Sequence, residues 1–109
     1  MHNHPKAPGL LRLELSDRVR PETLSVLHSS GLTEAVPVEL RDLISRAGGE
    51  SLKAVYPLSK DEIREDKYGF AREFELRLQV SVDSEVAIRL LRSSPFVKPV
   101  VLKRSWENP

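Results

Sequence analysis

The chain contains no cysteine among its 109 residues. This absence excludes a disulfide framework, a zinc site with thiolate ligands and a catalytic thiol. Aromatic residues are also scarce, at 6%, and the 17 basic residues are nearly balanced by 16 acidic ones. Because nucleic-acid-binding domains usually carry a clustered basic excess, we expect no nucleic-acid partner.

Long apolar runs are missing as well. No run approaches the roughly 18 residues that indicate a transmembrane helix, so we expect no membrane partner. The opening "MHNHPKAPG" has no apolar signal core, and no cleavable targeting peptide is visible. We interpret residues 1–9 as a flexible N-terminal arm, and the location stays open between the cytoplasm and an exported precursor.

What the chain does have is a two-residue apolar alternation in two places. In "LLRLELS" the leucines occupy every second position, with Arg12 and Glu14 between them. "FAREFELRLQV" alternates in the same way. Alternation of this kind predicts strands with one buried and one solvated face, over residues 10–16 and 70–80.

Three segments instead show helical spacing. The first follows Pro21 and stops at Gly31, and the second begins after Pro37 and covers about 37–47. The third, "DSEVAIRLLRSSP", has a capping residue before its apolar stripe and a proline at its end. Proline in the first turn and glycine after the last turn are typical helix boundaries.

Two further strands are predicted from "SLKAVYPLS" and from "FVKPVVLK", and each contains a proline, Pro57 and Pro99. Proline cannot donate a ladder hydrogen bond, so these segments suit the edges of a sheet. The order β, doubled α, β, β, α, β predicts an α+β ferredoxin-like βαββαβ sandwich. It has a four-stranded antiparallel sheet with helices on one face and an extra short helix at about 37–47. A mixed α+β fold with that helix inserted elsewhere remains open.

This interpretation divides the chain into three parts: an arm at 1–9, one domain at 10–103 and a tail at 104–109. A size near 100 residues is typical of a single domain with one hydrophobic core.

Catalytic and metal-binding patterns are weak throughout. His2 and His4 offer two imidazoles, whereas catalytic zinc sites usually take three protein ligands. His28 lies near the end of the first helix, where a structural role is expected. No serine stands in a Gly-x-Ser-x-Gly elbow, and there is no phosphate-binding glycine loop. We therefore expect no enzyme, no cofactor and no metal.

The outward positions of the predicted central strands are charged or polar: Arg12, Glu14, Glu73, Glu75, Arg77 and Gln79. An RNA-recognition sheet would carry aromatic residues there. The turn after the first strand, "SDRVRP", also lacks the glycine expected of acylphosphatase-like or ACT-type domains. Glu73 and Glu75 share a face at about 7 Å, and a solvated face beside Arg77 is expected there. A charged sheet face with a projecting tail is typical of a protein-binding module.

Four stretches occur in a familiar succession: "RPETLSVLHSSG", "LKAVYPLS", "YGFAREFELRL" and "VAIRLLRSSPFVKPVVL". Over residues 10–103, this succession resembles the N-terminal propeptide of subtilisin-like serine proteases. The helix at 37–47 departs from the pattern, because it is longer than the family's usual linker.

The resemblance implies an inhibitor and intramolecular chaperone that binds a subtilisin-like serine protease in cis or in trans. Glu73 and Glu75 on the sheet face would meet the positive N-termini of two protease helices. The tail would enter the active-site cleft as an added strand, and its residues are Arg104, Ser105, Trp106, Glu107, Asn108 and Pro109.

A terminal proline is an unusual product of autocleavage. The scissile bond would then lie beyond Pro109, or the chain would be a free-standing inhibitor, or the likeness would be one of fold alone. Trp106 would either follow the tail or fold back onto the core.

Two alternatives stay open beside the propeptide interpretation. One is a ferredoxin-like interaction or dimerisation domain unrelated to proteases, present as a monomer or weak homodimer that pairs through an edge strand. The other is a small enzyme or ligand-binding domain without a recognised motif.

Overall fold

Four helices and an antiparallel sheet make up the described part of the chain, residues 9–98 and 103–105, in a computed structural model. The elements in chain order are β1 (Leu10–Glu14), α1 (Pro21–Ser30), α2 (Val38–Arg46), β2 (Gly49–Ala54), α3 (Lys60–Glu65), a 3₁₀ turn (Phe70–Arg72), β3 (Glu73–Leu78), α4 (Ser84–Arg92) and β4 (Lys103–Ser105). The class is α+β, as the sequence predicts.

The sheet is built around the pairing of β1 with β3. These strands run antiparallel, with Leu11 opposite Leu76 and Leu13 opposite Phe74. On the other side of β3, β2 pairs antiparallel and places Leu52 opposite Leu76. The result is a three-stranded antiparallel sheet whose inner face presents a row of apolar side chains.

The short strand β4 pairs antiparallel with the other side of β1, with Leu10 opposite Ser105 and Arg12 opposite Lys103. The sequence predicts this strand from Val97 onward. Val97 instead forms a single isolated bridge with Leu15. Residues 99–102, and with them Pro99, lie outside the described residues.

The alternation in β1 and β3 is confirmed by burial, since the odd-numbered leucines of β1 and the even-numbered residues of β3 are at most 1% exposed. Helical side chains join them in one hydrophobic cluster: Leu24, Leu27, Leu40, Leu43, Ile44, Ala87 and Leu91. The helices therefore cover one face of the sheet, and the predicted helix at about 37–47 is confirmed as α2.

The predicted bounds of two strands are wrong. β2 stops at Ala54, so Pro57 lies beyond the strand and says nothing about its edge position. β3 covers only Glu73–Leu78, and the flanking Phe70 and Val80 are exposed rather than buried. Gly69 has a left-handed conformation, with φ of 83°, and starts the 3₁₀ turn that delays β3.

The helix α3 is not among the three helical segments predicted from the sequence. Ser59 caps it, because its side chain accepts a hydrogen bond from the Glu62 N–H while the Glu62 carboxylate accepts one from the Ser59 N–H. This reciprocal capping box satisfies two backbone donors that a short helix would otherwise leave unpaired. Ile63 is the residue that α3 buries.

Candidate protein-binding surface

The sheet face turned away from the helices, called here the open face, carries the charged residues that alternate with the core positions. Arg12, Glu73, Glu75 and Arg77 are all partly exposed there. The predicted polarity of this face is therefore confirmed. Its charges are spread over both β1 and β3, which places both signs side by side.

Arg12 links two elements on the open face. Its Nη2 atom donates to Glu73 Oε1 at 3.2 Å and to the Tyr56 hydroxyl at 3.3 Å. The guanidinium carbon also lies 5.9 Å from the centroid of the Tyr56 ring. The hydrogen bond to Tyr56, opposed by burial and helped by Glu73, raises the pKa of Arg12 above its ordinary value. The positively charged Arg12 side chain thus holds the Tyr56 ring against the sheet.

A second ion pair lies at the C-terminal end of β1. Lys98 Nζ lies 2.7 Å from Glu14 Oε2, and the Lys98 N–H donates to the Glu14 carbonyl at 2.9 Å. The chain leaving α4 is thereby fastened to the end of β1, beside the same face.

Next to Arg12 lies a cluster of three exposed rings, Tyr56, Tyr68 and Phe70, called here the aromatic patch. The Tyr56 and Phe70 centroids are 5.1 Å apart at 61°, and those of Tyr68 and Phe70 are 5.7 Å apart at 40°. The three residues are 40%, 81% and 43% exposed respectively. Exposed apolar groups that cluster, unlike single ones, indicate an interaction surface.

The turn that carries Tyr68 and Phe70 is held by Asp66. The Asp66 carboxylate accepts hydrogen bonds from the backbone N–H groups of Tyr68 at 3.2 Å and of Ala71 at 3.0 Å. Burial opposes ionisation of this carboxyl, but the backbone donors outweigh it and hold the pKa of Asp66 below its usual value. The charged form of Asp66 therefore stabilises the turn.

The predicted partner-binding residues fall into three groups: those on the open face, those in β4 and those outside the described residues. Glu73 and Glu75 both lie on the open face, and the Glu73 carboxylate is ion-paired with Arg12. Arg104 and Ser105 are paired with Leu11 and Leu10 as part of β4. Trp106, Glu107, Asn108 and Pro109 lie outside the described residues, as do His2 and His4.

The aromatic patch is the feature that sequence reasoning missed. The strands predicted over 70–80 and from "SLKAVYPLS" include Phe70 and Tyr56, whose rings are exposed in the structure. Each stands next to a turn residue, Pro57 and Gly69. An aromatic residue beside such a residue is a signal that the strand has ended and that the ring belongs to a loop.

Comparisons of the chain with protein families, with curated proteins and with solved structures find no match. Within residues 9–98 and 103–105, no group of three or more histidine or acidic side chains could hold a metal ion. No helix of the same residues is long and apolar enough to cross a bilayer. The open face and its aromatic patch are the features on which a functional proposal can be based.

Proposed function

We propose that this chain is a non-catalytic protein-binding domain that inhibits, and assists the folding of, a subtilisin-like serine protease in cis or in trans. The observation that carries the proposal is the aromatic patch on the open face. Tyrosine is enriched among the residues that dominate protein interfaces, and such residues are often encircled by weaker polar contacts. Here the surrounding contacts are the Arg12–Glu73 and Glu14–Lys98 pairs.

The proposal includes the full ferredoxin-like sandwich. Support comes from β4, which pairs with β1 on the side away from β3 and so extends the antiparallel order to β2-β3-β1-β4. In this arrangement the two strands with the clearest alternation are central, and all the helices lie behind them.

Two contacts with the partner follow from this arrangement. The open face would place Glu73, Glu75 and the aromatic patch against the protease surface, with the carboxylates near helix N-termini, where negative charge is stabilised. The tail after Ser105 would add a strand in the active-site cleft.

These two contacts lie at different ends of the sheet. Ser105 is opposite Leu10, whereas the Glu14–Lys98 pair lies at the far end of β1. At about 3.3 Å per residue, the two ends of β1 are about 13 Å apart. A protease that binds both would therefore be contacted over a continuous stretch of its surface beside the cleft.

The deciding experiment is a titration of the purified chain against a panel of subtilisin-like proteases, with the inhibition constant as the readout. Deletion of residues 106–109 leaves β4 intact and should abolish inhibition, because it removes the tail that enters the cleft. The double variant Tyr68→Ala/Phe70→Ala should raise the inhibition constant by at least about tenfold, or 1.4 kcal/mol.

A matched control is Val86→Ala, which alters a residue that is 56% exposed but lies on α4. Its inhibition constant should equal that of the unaltered chain. Absence of inhibition against every protease of the panel would refute the protease proposal.

The alternative function is a protein-interaction domain without a protease partner, which the exposure of the aromatic patch also supports. Pairing through β2 is disfavoured, because this edge has an irregularity between Gly49 and Ser51 and exposes Glu50 and Lys53. Such features obstruct strand-to-strand association. A homodimer seen by sedimentation and lost in Tyr68→Ala/Phe70→Ala, without protease inhibition, would support this alternative.

A further inference from the structure

His28 occupies a bridging position behind the aromatic patch. Its Nδ1 atom accepts a hydrogen bond from the Leu58 N–H at 3.1 Å, and its Nε2 atom lies 2.8 Å from the Ala71 carbonyl oxygen. Because Nδ1 accepts, the ring is neutral with its hydrogen on Nε2, which donates to Ala71. The ring also packs edge-on against Phe74, with centroids 5.3 Å apart.

The two backbone groups that His28 holds belong to opposite ends of one loop. We call residues 56–72 the patch loop, since they connect β2 to β3 and carry all three rings. Its base is closed by the hydrogen bond from the Val55 N–H to the Glu73 carbonyl, at 3.0 Å. Leu58 follows Tyr56 by two residues, and Ala71 directly follows Phe70. One imidazole therefore ties the outgoing segment of the loop to its returning segment.

Ala71 is fixed from both sides. Its carbonyl accepts from His28, and its N–H donates to Asp66 Oδ2 at 3.0 Å. Ala71 is 1% exposed, so water cannot readily replace either partner. Buried backbone groups without partners are costly, and the conformation that satisfies both is strongly selected.

We propose that His28 is the positioning residue of the aromatic patch: its neutral ring sets the distance between the Tyr56 and Phe70 segments and so the shape of the binding surface. This inference rests on the proposed function of the patch as a binding surface. The role belongs to α1, an element on the opposite side of the sheet from any partner that the open face would bind. Substitution of His28 should therefore change binding without removing a contact to the partner.

The variants His28→Asn and His28→Gln can distinguish the contributions of the two hydrogen bonds. The Asn side-chain oxygen matches the Nδ1 position and can accept from Leu58, whereas the Gln side-chain nitrogen matches the Nε2 position and can donate to Ala71. His28→Leu keeps much of the apolar volume and neither hydrogen bond. The readouts are amide hydrogen exchange at Leu58 and nuclear Overhauser contacts between the Tyr56 and Phe70 rings.

In His28→Leu and His28→Gln, the Leu58 amide should exchange at least about tenfold faster than in the unaltered chain, as expected when a local hydrogen bond is lost. In His28→Asn its protection should persist. The Tyr56–Phe70 contacts should be lost in His28→Leu, and the inhibition constant should rise with that loss. Exchange in α2 should stay unchanged, which separates loop loosening from unfolding.

Unchanged Tyr56–Phe70 contacts and Leu58 protection in His28→Leu would overturn the positioning role, whatever the inhibition. Lost contacts with unchanged inhibition would support the positioning role and refute the patch as the protease-binding surface. Should His28→Leu fail to fold, nitrogen NMR of the unaltered chain still tests whether His28 makes the two hydrogen bonds to Leu58 and Ala71. A ring with its hydrogen on Nε2 supports the bridge, and one with its hydrogen on Nδ1 overturns it.

Discussion

A side chain on Gly48 would collide with Val82: a Cβ atom placed on this glycine lies 2.4 Å from Val82 Cγ2 and 2.8 Å from Cγ1. Gly48 also has a φ of +80°, in the region that favours glycine. Its carbonyl accepts from the Gln79 N–H at 2.9 Å. The start of β2 is thus pressed against the turn that follows β3.

We expect Gly48→Ala to lower the free energy of unfolding by about 3 kcal/mol, the sum of a left-handed backbone cost and an overpacking cost. Gly69→Ala is the matched control. It has a similar φ of +83°, but its nearest neighbour is the flexible Glu14 side chain, at 3.5 Å. It should cost only about 1–2 kcal/mol. Urea denaturation measures both, and the added Val82→Ala should restore part of the loss in Gly48→Ala. Equal costs for the two glycines would contradict the collision.

Whether burial stops at the end of β3 can be tested with two apolar residues that belong to the same two-residue alternation in the sequence. Leu78 is fully buried, whereas Val80 is 59% exposed. Leu78→Ala should destabilise the fold by about 3–5 kcal/mol, because it removes buried apolar surface and leaves a cavity. Val80→Ala should change stability by less than about 0.5 kcal/mol. A large cost at Val80 would mean that β3 continues to bury residues beyond Leu78.

The capping box of α3 gives a third prediction. Ser59→Ala removes the side-chain acceptor for the Glu62 N–H, which lies 3.2 Å away, and should cost about 1 kcal/mol. Ser59→Asp retains an acceptor at the same position and should cost much less. Denaturation midpoints of the two variants provide the comparison. Equal midpoints for Ser59→Ala and the unaltered chain would show that the cap contributes nothing.

Asp66 predicts a dependence of stability on pH. Its folded-state pKa is lowered, so the folded chain releases this proton more readily than the unfolded chain. The resulting stabilisation is fully present above the unfolded value, about 3.9, and disappears as the pH falls through the lower folded value. The stability difference between the unaltered chain and Asp66→Asn should therefore shrink between pH 5 and the acid range (about pH 2). Urea unfolding across this range measures it, and a difference independent of pH would refute the role of the charge.

The elements that the sequence predicted correctly are those whose signal is local. β1 and the middle of β3 alternate with period two, and α1 and α2 start after or at a proline and stop near a glycine. These patterns involve residues that are close together in the chain, so the local sequence is enough to predict these helices and strands. α3 was also within reach, because Ser59-x-x-Glu62 is a capping-box pattern, but with little more than Ile63 to bury it shows no apolar stripe.

The candidate site was only half predictable, because its geometry comes from distant segments. The sheet face on which Glu73 lies follows from the two-residue alternation of β3. The ion pair of Glu73 with Arg12 depends on the register of β1 against β3, since Arg12 stands opposite Glu75 and reaches Glu73 diagonally. The turn residues beside Tyr56 and Phe70 mark these rings as loop residues, but the packing of Tyr56, Tyr68 and Phe70 against one another is set by the fold of the loop, which no local pattern contains.

The pairing of Leu10 with Ser105 has a practical consequence for measurement. The chain enters the sheet and leaves it side by side, at the edge remote from the Glu14–Lys98 pair. A label placed at Leu10 or at Ser105 would therefore lie at the same end of the sheet. Immobilisation through either of these two positions would hold the sheet by the end opposite the Glu14–Lys98 pair.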